Sequence, residues 1–320
     1  MNGNPEKLQK NIWQDTVECW HSLPNKFFFF TLLVAWLVLF QFFGNSILGY
    51  VHTSSIFGWL YANYNNPGSV EDSGHGDFIP FLVIGIFWWK RKELLAPPLQ
   101  FWPPAIFIFA AALLLHVFGY AVQEPLFSVV ALFAGIYGLM GLAWGSAWLR
   151  RSNYPFLLFV FSIPLAGHLN FILFPLRMAA THLTEWVAHL IGIDVIRQGT
   201  QLMDPSGNFG YDVQAACGGM RSVVAIVLIA TIYGFAIFRS PTKKLLLMAS
   251  AIPFAVLGNV FRLLAIIIAA SFGGQSAGNY IHEGGPGGIL SLLPYVPAML
   301  GMFWLGSWME KHELKEAHEK

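Results

Sequence analysis

The chain has little charge. Asp, Glu, Lys and Arg make up 11% of its 320 residues, and 18 basic residues face 17 acidic ones. That excludes a strongly basic face, so nucleic acid is not an expected partner. Cysteine is scarcer still, with only Cys19 and Cys217. Two cysteines in unlike contexts exclude a disulfide scaffold and are expected as free thiols. Also missing are an internal repeat, a low-complexity tract and a small-residue cleavage pattern beside the first apolar run, so that run reads as a retained helix.

What is present is apolar. Hydrophobic residues reach 56% and the mean hydropathy is positive, outside the range of soluble globular chains. Crossing a hydrocarbon core takes roughly 20 helical residues at about 1.5 Å each. The expected fold is therefore an all-α polytopic membrane protein with about eight transmembrane helices, near 27–48, 77–89, 104–122, 126–148, 154–174, 217–238, 245–270 and 289–309. The second is short, and Pro164 should kink the fifth. Lys and Arg set the orientation, because short cytoplasmic loops retain positive charge. Of the 18 basic residues, 14 fall on one side of this arrangement, from Lys7 to the terminal Lys320. Both termini are thus expected in the cytoplasm.

Two segments fall on the opposite, outer side. Residues 49–76 carry Asn, Gly, Ser and Pro and read as a solvated loop. Residues 175–216 open with an amphipathic helix, about Pro175 to Ile191, suited to the membrane interface. A turn at Asp204–Asn208 and the alternation Phe209, Tyr211, Val213 predict a small β-hairpin leading to Cys217 before the sixth helix. The chain divides into an N-terminal transmembrane region (1–151), a core (152–310) and a charged tail (311–320).

Three groups could carry chemistry. Cys217 precedes Gly218, Gly219, Met220 and Arg221 at the mouth of the sixth helix. There, unpaired N–H groups and the helix dipole favour thiolate, and Arg221 shares the thiol's face four residues on. Cys217 could equally be a small packing residue among helix-packing glycines. Asn259 and Arg262 share one face of the seventh helix, with Arg262 roughly 12 Å below its outer end. An arginine at that depth is expensive and by default functional, the alternative being a structural ion pair or snorkelling. His282 and Glu283 stand in a glycine-rich outer loop, 273–288, where imidazole could move protons. A lone loop histidine is otherwise a surface residue.

His182, Glu185 and His189 share a face of the amphipathic helix and could ligate a metal, but the spacing is not His-Glu-x-x-His and no metal or other cofactor is expected. Cys19 reads as incidental. His116 and His168 read as packing or lining residues.

At these residues the sequence resembles the exosortase and archaeosortase family of membrane transpeptidases. The likeness runs from about Phe156 to Leu290 through Ile163-Pro164, Phe174-Pro175-Leu176, Gly192 to Arg197, Ala216 to Ser222, Asn259-Val260-Phe261-Arg262 and His282. Family members often read Cys-Ser-Gly where this chain has Cys217-Gly218-Gly219. The resemblance implies a cysteine nucleophile at Cys217, catalytic Arg262 and His282, and supporting Arg221 and Asn259. It also implies that 152–310 is the catalytic core. The implied substrates are secreted proteins with a C-terminal tail: a Pro-Glu-Pro-like motif, a membrane helix and a basic end. Lipid surrounds the tail, and an amine, a hydroxyl or water accepts the acyl group. The readings that compete are a transporter binding an anion or lipid-linked substrate at Arg221 and Arg262, a metal-dependent membrane hydrolase, and a scaffold without activity.

Overall fold

The computed structural model describes residues 12–46, 53–65, 74–165, 168–212, 219–238, 240–292 and 295–318; of 12, 74, 75, 219–222, 287, 291 and 313–318 it describes the backbone alone. The described chain forms two compact units, one ending at Pro164 and the other running from Leu165 onward.

Among its described residues the first unit is built from helices: α1 (Ile12–Ser22), α2 (Lys26–Phe43), α3 (Ile56–Asn65), α4 (Ile79–Trp89), α5 (Arg91–Leu95), α6 (Ala105–Ala121), α7 (Pro125–Trp144) and α8 (Ser146–Leu157). At its centre is the α6–α7 hairpin. Gln123 takes a left-handed φ of 60° in the connection, Glu124 accepts the Leu126 N–H at 3.4 Å, and Pro125 opens α7 where a missing N–H costs nothing. Small residues then let helices close up: a Cβ on Gly138 would come within 2.9 Å of the Phe109 backbone, and one on Gly135 would strike the Trp36 indole. That indole donates to the Leu132 carbonyl at 3.0 Å. The opposite face of α6 presents Phe107 and Leu114 to the outside, as a lipid-bathed helix should.

Two expectations fail here. The stretch read as a solvated loop contains α3, because Ile56, Leu60 and Tyr64 recur every fourth residue and bury one face that the surrounding Asn and Gly residues obscure. The expected fifth helix, 154–174, is not continuous. Helix α8 tightens into a 3-10 turn at Leu158–Ser162, and Ile163 is extended (φ −84°, ψ 122°), as the residue before Pro164 must be. Proline here separates helices instead of bending one.

The second unit contains α9 (Asn170–Leu190), strands β1 (Ile196–Gln198), β2 (Gln201–Met203) and β3 (Gly210–Asp212), then α10 (Gly219–Ile237), α11 (Pro241–His282) and α12 (Tyr295–His318). Helix α9 begins five residues before the expected Pro175, which it holds inside its second turn. The strands form one antiparallel sheet in the order β1-β2-β3, with Leu202 facing both Arg197 and Tyr211. The 204–208 turn joins β2 to β3, its Asp204 carboxylate accepting from Asn208 N–H and amide at 3.0 and 2.8 Å. The expected continuation through Val213 to Cys217 lies outside the described residues. Helices α2, α7 and α11 are long and apolar enough to cross a bilayer; α4, α6 and residues 223–237 of α10 are apolar but shorter.

Candidate active site

Helix α11 carries Asn259 and Arg262, and it does not end where the apolar run ends. It continues through the segment read as an outer loop, as far as His282, which corrects that expectation for residues 273–282. One residue within it is not helical: Gly274, at φ 69° and ψ −172°, a backbone conformation open essentially to glycine alone. The chain reverses there. Twenty residues of straight helix would put His282 about 30 Å beyond Arg262, yet Arg262 Nη2 donates to the His282 carbonyl at 3.2 Å. Gly278 likewise lies against Ala270, where its added Cβ would meet the Ala270 Cβ at 2.9 Å. Helix α11 is thus a long arm, 241–273, and a short arm, 275–282, folded back on it.

The sheet fastens the short arm. The Gln275 side chain accepts from Gly210 N–H at 2.9 Å and donates to the Gly210 carbonyl at 3.4 Å, while the Tyr211 hydroxyl donates to the Gln275 carbonyl at 3.0 Å. Beneath these bonds Val195, Leu202, Phe209 and Tyr211 pack with Leu263, Ile266, Ile267 and Ala270 of the long arm. Past His282, Gly284 and Gly285 take left-handed φ values of 92° and 61°, and the chain turns there, with Leu290 N–H bonded to the Gly284 carbonyl at 2.8 Å.

Of the residues singled out from sequence, Arg262 and His282 come together. Both are half-buried. Arg262 Nε is enclosed with no hydrogen-bond partner among the described residues, so the guanidinium retains donor capacity. Asn259, one turn before Arg262, is buried at 6% exposure and lines a pocket between α9, α10 and α11. Arg221 lies in the first turn of α10, its side chain outside the described residues, and Cys217 lies outside them altogether.

The possible metal cluster takes other partners. Arg197 Nε donates to Glu185 at 2.9 Å, and His189 Nε2 contacts the Val195 carbonyl at the same distance. Burial would raise the Glu185 carboxyl, but hydrogen bonds from Arg197 and His182 outweigh it and hold the group below the usual carboxylate value. Among the described residues no three His, Cys, Asp or Glu side chains gather as a metal site would require.

Arg177, one of the four basic residues outside the inward-facing set of 14, is not among those that the sequence singles out. It is 5% exposed on the buried stripe of α9 formed by Leu173, Ala180, Thr181, Thr184 and Ala188. The signal was available, since an arginine in phase with small and apolar residues at helical spacing must face inward.

The apolar helices, lipid-like outer faces and partly buried cations define a multi-pass membrane protein of the helical class. A family model for the transmembrane exosortases matches residues 68–305, and the chain belongs to that family. Membership carries, in general terms, a membrane transpeptidase-type role toward secreted proteins that bear sorting signals. Comparison with curated proteins and with solved structures finds no match.

Proposed function

We propose that this protein is a cysteine transpeptidase that removes the C-terminal sorting tail of secreted proteins at the outer face of the membrane. The observation that carries the reading is the 3.2 Å contact between Arg262 and the His282 backbone in a chain of the exosortase family. These residues are 20 positions apart, and a reversal at Gly274 brings them together; a surface histidine on a mobile loop would have no need of such an arrangement.

The Cys217 thiolate attacks the carbonyl carbon of the scissile peptide bond. Negative charge moves to the carbonyl oxygen, where the spare Arg262 donor stabilises it. The tetrahedral intermediate collapses, the C–N bond breaks, and the leaving amine takes a proton from the His282 imidazolium. The tail departs and a thioester remains. His282, now neutral, accepts a proton from an amine, hydroxyl or water as that acceptor attacks the thioester and frees Cys217. Arg221 and Asn259 support the site, and no cofactor is needed.

The substrate tail comprises a Pro-Glu-Pro-like motif, a membrane helix and a basic end, and it arrives through the lipid. Eight crossings, with both termini in the cytoplasm of the inner membrane, would bring that motif level with Cys217. The catalytic core spans 152–310, with 1–151 as an N-terminal membrane region and 311–320 as a charged tail.

Cys217→Ala and Cys217→Ser test the assignment directly. Co-expressed with a tailed substrate, both should leave it at full length on immunoblots while the enzyme itself accumulates normally. Normal processing by either stable variant would sink the nucleophile assignment.

A further inference from the structure

Arg177 is a buried cation with spare donors. Its Nη1 meets no hydrogen-bond partner among the described residues, and the side chain lines a narrow pocket with Leu173, Leu176, Val223, Val256 and Asn259. A guanidinium does not shed its proton, so burial leaves a full charge in place. Such a charge is unfavourable unless an anion or a set of hydrogen bonds compensates it. Asp212 favours the charged form of Arg177 through space, against burial, without bonding to Nη1; its Oδ1 accepts from the Thr200 hydroxyl at 3.1 Å. Among the described residues the compensation is therefore incomplete at Nη1.

We propose that Arg177 and Asn259 form a subsite for one carboxylate group of the peptide substrate. The inference rests on the reading of this chain as a peptide-processing enzyme and adds to it a determinant of specificity. A planar guanidinium presents paired N–H groups that match the two oxygens of a carboxylate, and the Asn259 amide supplies a further donor. The narrow pocket suits a planar carboxylate better than a tetrahedral phosphate. Asn259 precedes Arg262 by one helical turn on the same face, so a carboxylate held here would fix the peptide beside the Arg262–His282 pair. Arg177 is thus a binding residue, and Arg262 keeps the catalytic role.

The test uses the full chain in phosphatidylcholine nanodiscs, with thermal unfolding followed in the presence of millimolar blocked peptides. Acetyl-Ala-Glu-Ala-amide should raise Tm by a few degrees, as a ligand of the folded state does, and the glutamine counterpart should not. Arg177→Met should abolish the shift and Arg177→Lys should keep part of it. If Arg177→Met does not fold, Asn259→Leu serves as the second variant and should weaken the shift. Equal shifts with the Glu and Gln peptides, or an undiminished shift in the variants that fold, would overturn the proposal. So would an Arg177-dependent shift of equal size with glycerol phosphate, which would assign the pocket to a lipid headgroup.

In cells, wild-type processing of a tailed substrate should fall at least about tenfold when the acidic residue of its motif is changed to glutamine. Arg177→Met should process both forms alike, and preserved discrimination in that variant would also overturn the subsite. A wild-type enzyme that processes no tailed protein would defeat the transpeptidase reading alone, since the binding measurement does not depend on it.

Discussion

The two units of this protein treat a buried cation differently. In the first, Arg91 pairs with Asp15, which Lys92 also approaches at 3.4 Å, and its guanidinium lies 4.2 Å from the Trp88 ring. Charge there ties α1 to α5. In the second, Arg177 and Arg262 have no carboxylate bonded to them among the described residues, and Arg177 Nη1 and Arg262 Nε, like Arg91 Nε in the first, have no hydrogen-bond partner there. Stability selects for satisfied charge, because each unpaired buried donor costs on the order of 1–3 kcal/mol. A unit that holds two guanidiniums on facing helices, with no carboxylate bonded to either among the described residues, is the one in which a bound carboxylate or oxyanion has a place.

Arg262 should break the comparison most sharply. Losing a donor aimed at developing negative charge costs about 100-fold or more in rate, so Arg262→Ala should abolish detectable substrate processing. Arg262→Lys should recover little, because an ammonium cannot reproduce the guanidinium fork. Neither variant should reduce accumulation of the enzyme. Processing rates within a fewfold of wild type would return Arg262 to a structural role and make the two units alike.

Much of this contrast can be read from sequence and part of it cannot. Apolar runs disclosed most helices, and the spacing of Asn259 and Arg262 disclosed their common face, because both depend on residues close along the chain. The reversal at Gly274 is different. Glycine is equally compatible with a helix, a loop or a tight fold-back, and what selects the fold-back is the set of bonds from Gln275 to Gly210 and from Tyr211 to Gln275, 64 or 65 residues apart. Segment 273–288 therefore looked like a loop although its first ten residues belong to α11. The same reason hid α3, whose three buried residues are scattered among turn-forming neighbours. Arg177 is hidden for another reason: charge sidedness takes no account of its place on a helical stripe.

Gly274→Ala tests whether the fold-back is part of the site. A non-glycine residue held at φ 69° and ψ −172° costs about 1–3 kcal/mol. The long arm is anchored by its own apolar core, so the strain should be relieved by displacing the short arm, which carries His282. The expected result is a loss of processing of roughly tenfold or more, with α11 still inserted and the enzyme still expressed, since 1.4 kcal/mol corresponds to a factor of ten. Wild-type processing by this variant would mean that the Arg262 contact with His282 is incidental.

The smallest expected effect belongs to the first unit, where the comparison can be reversed. Hydrogen bonding from Arg91 holds the Asp15 carboxyl below the usual carboxylate range, against the opposing effect of burial. A carboxyl lowered in the folded state contributes stability that is fully present above its unfolded value of about 3.9. That contribution is lost as pH falls through the lowered folded value. Asp15→Asn removes it at neutral pH and leaves Arg91 without its carboxylate, the condition in which Arg177 already stands. Thermal unfolding in detergent from pH 6 to pH 2 should therefore show a variant less stable than wild type near neutrality, with the two curves converging in acid. Substrate processing at pH 7 should be unchanged, because an unpaired arginine in this unit faces no substrate. Curves that stay parallel through the acid window would remove Asp15 as the titrating partner, and a fall in processing would show that the first unit does more than hold itself together.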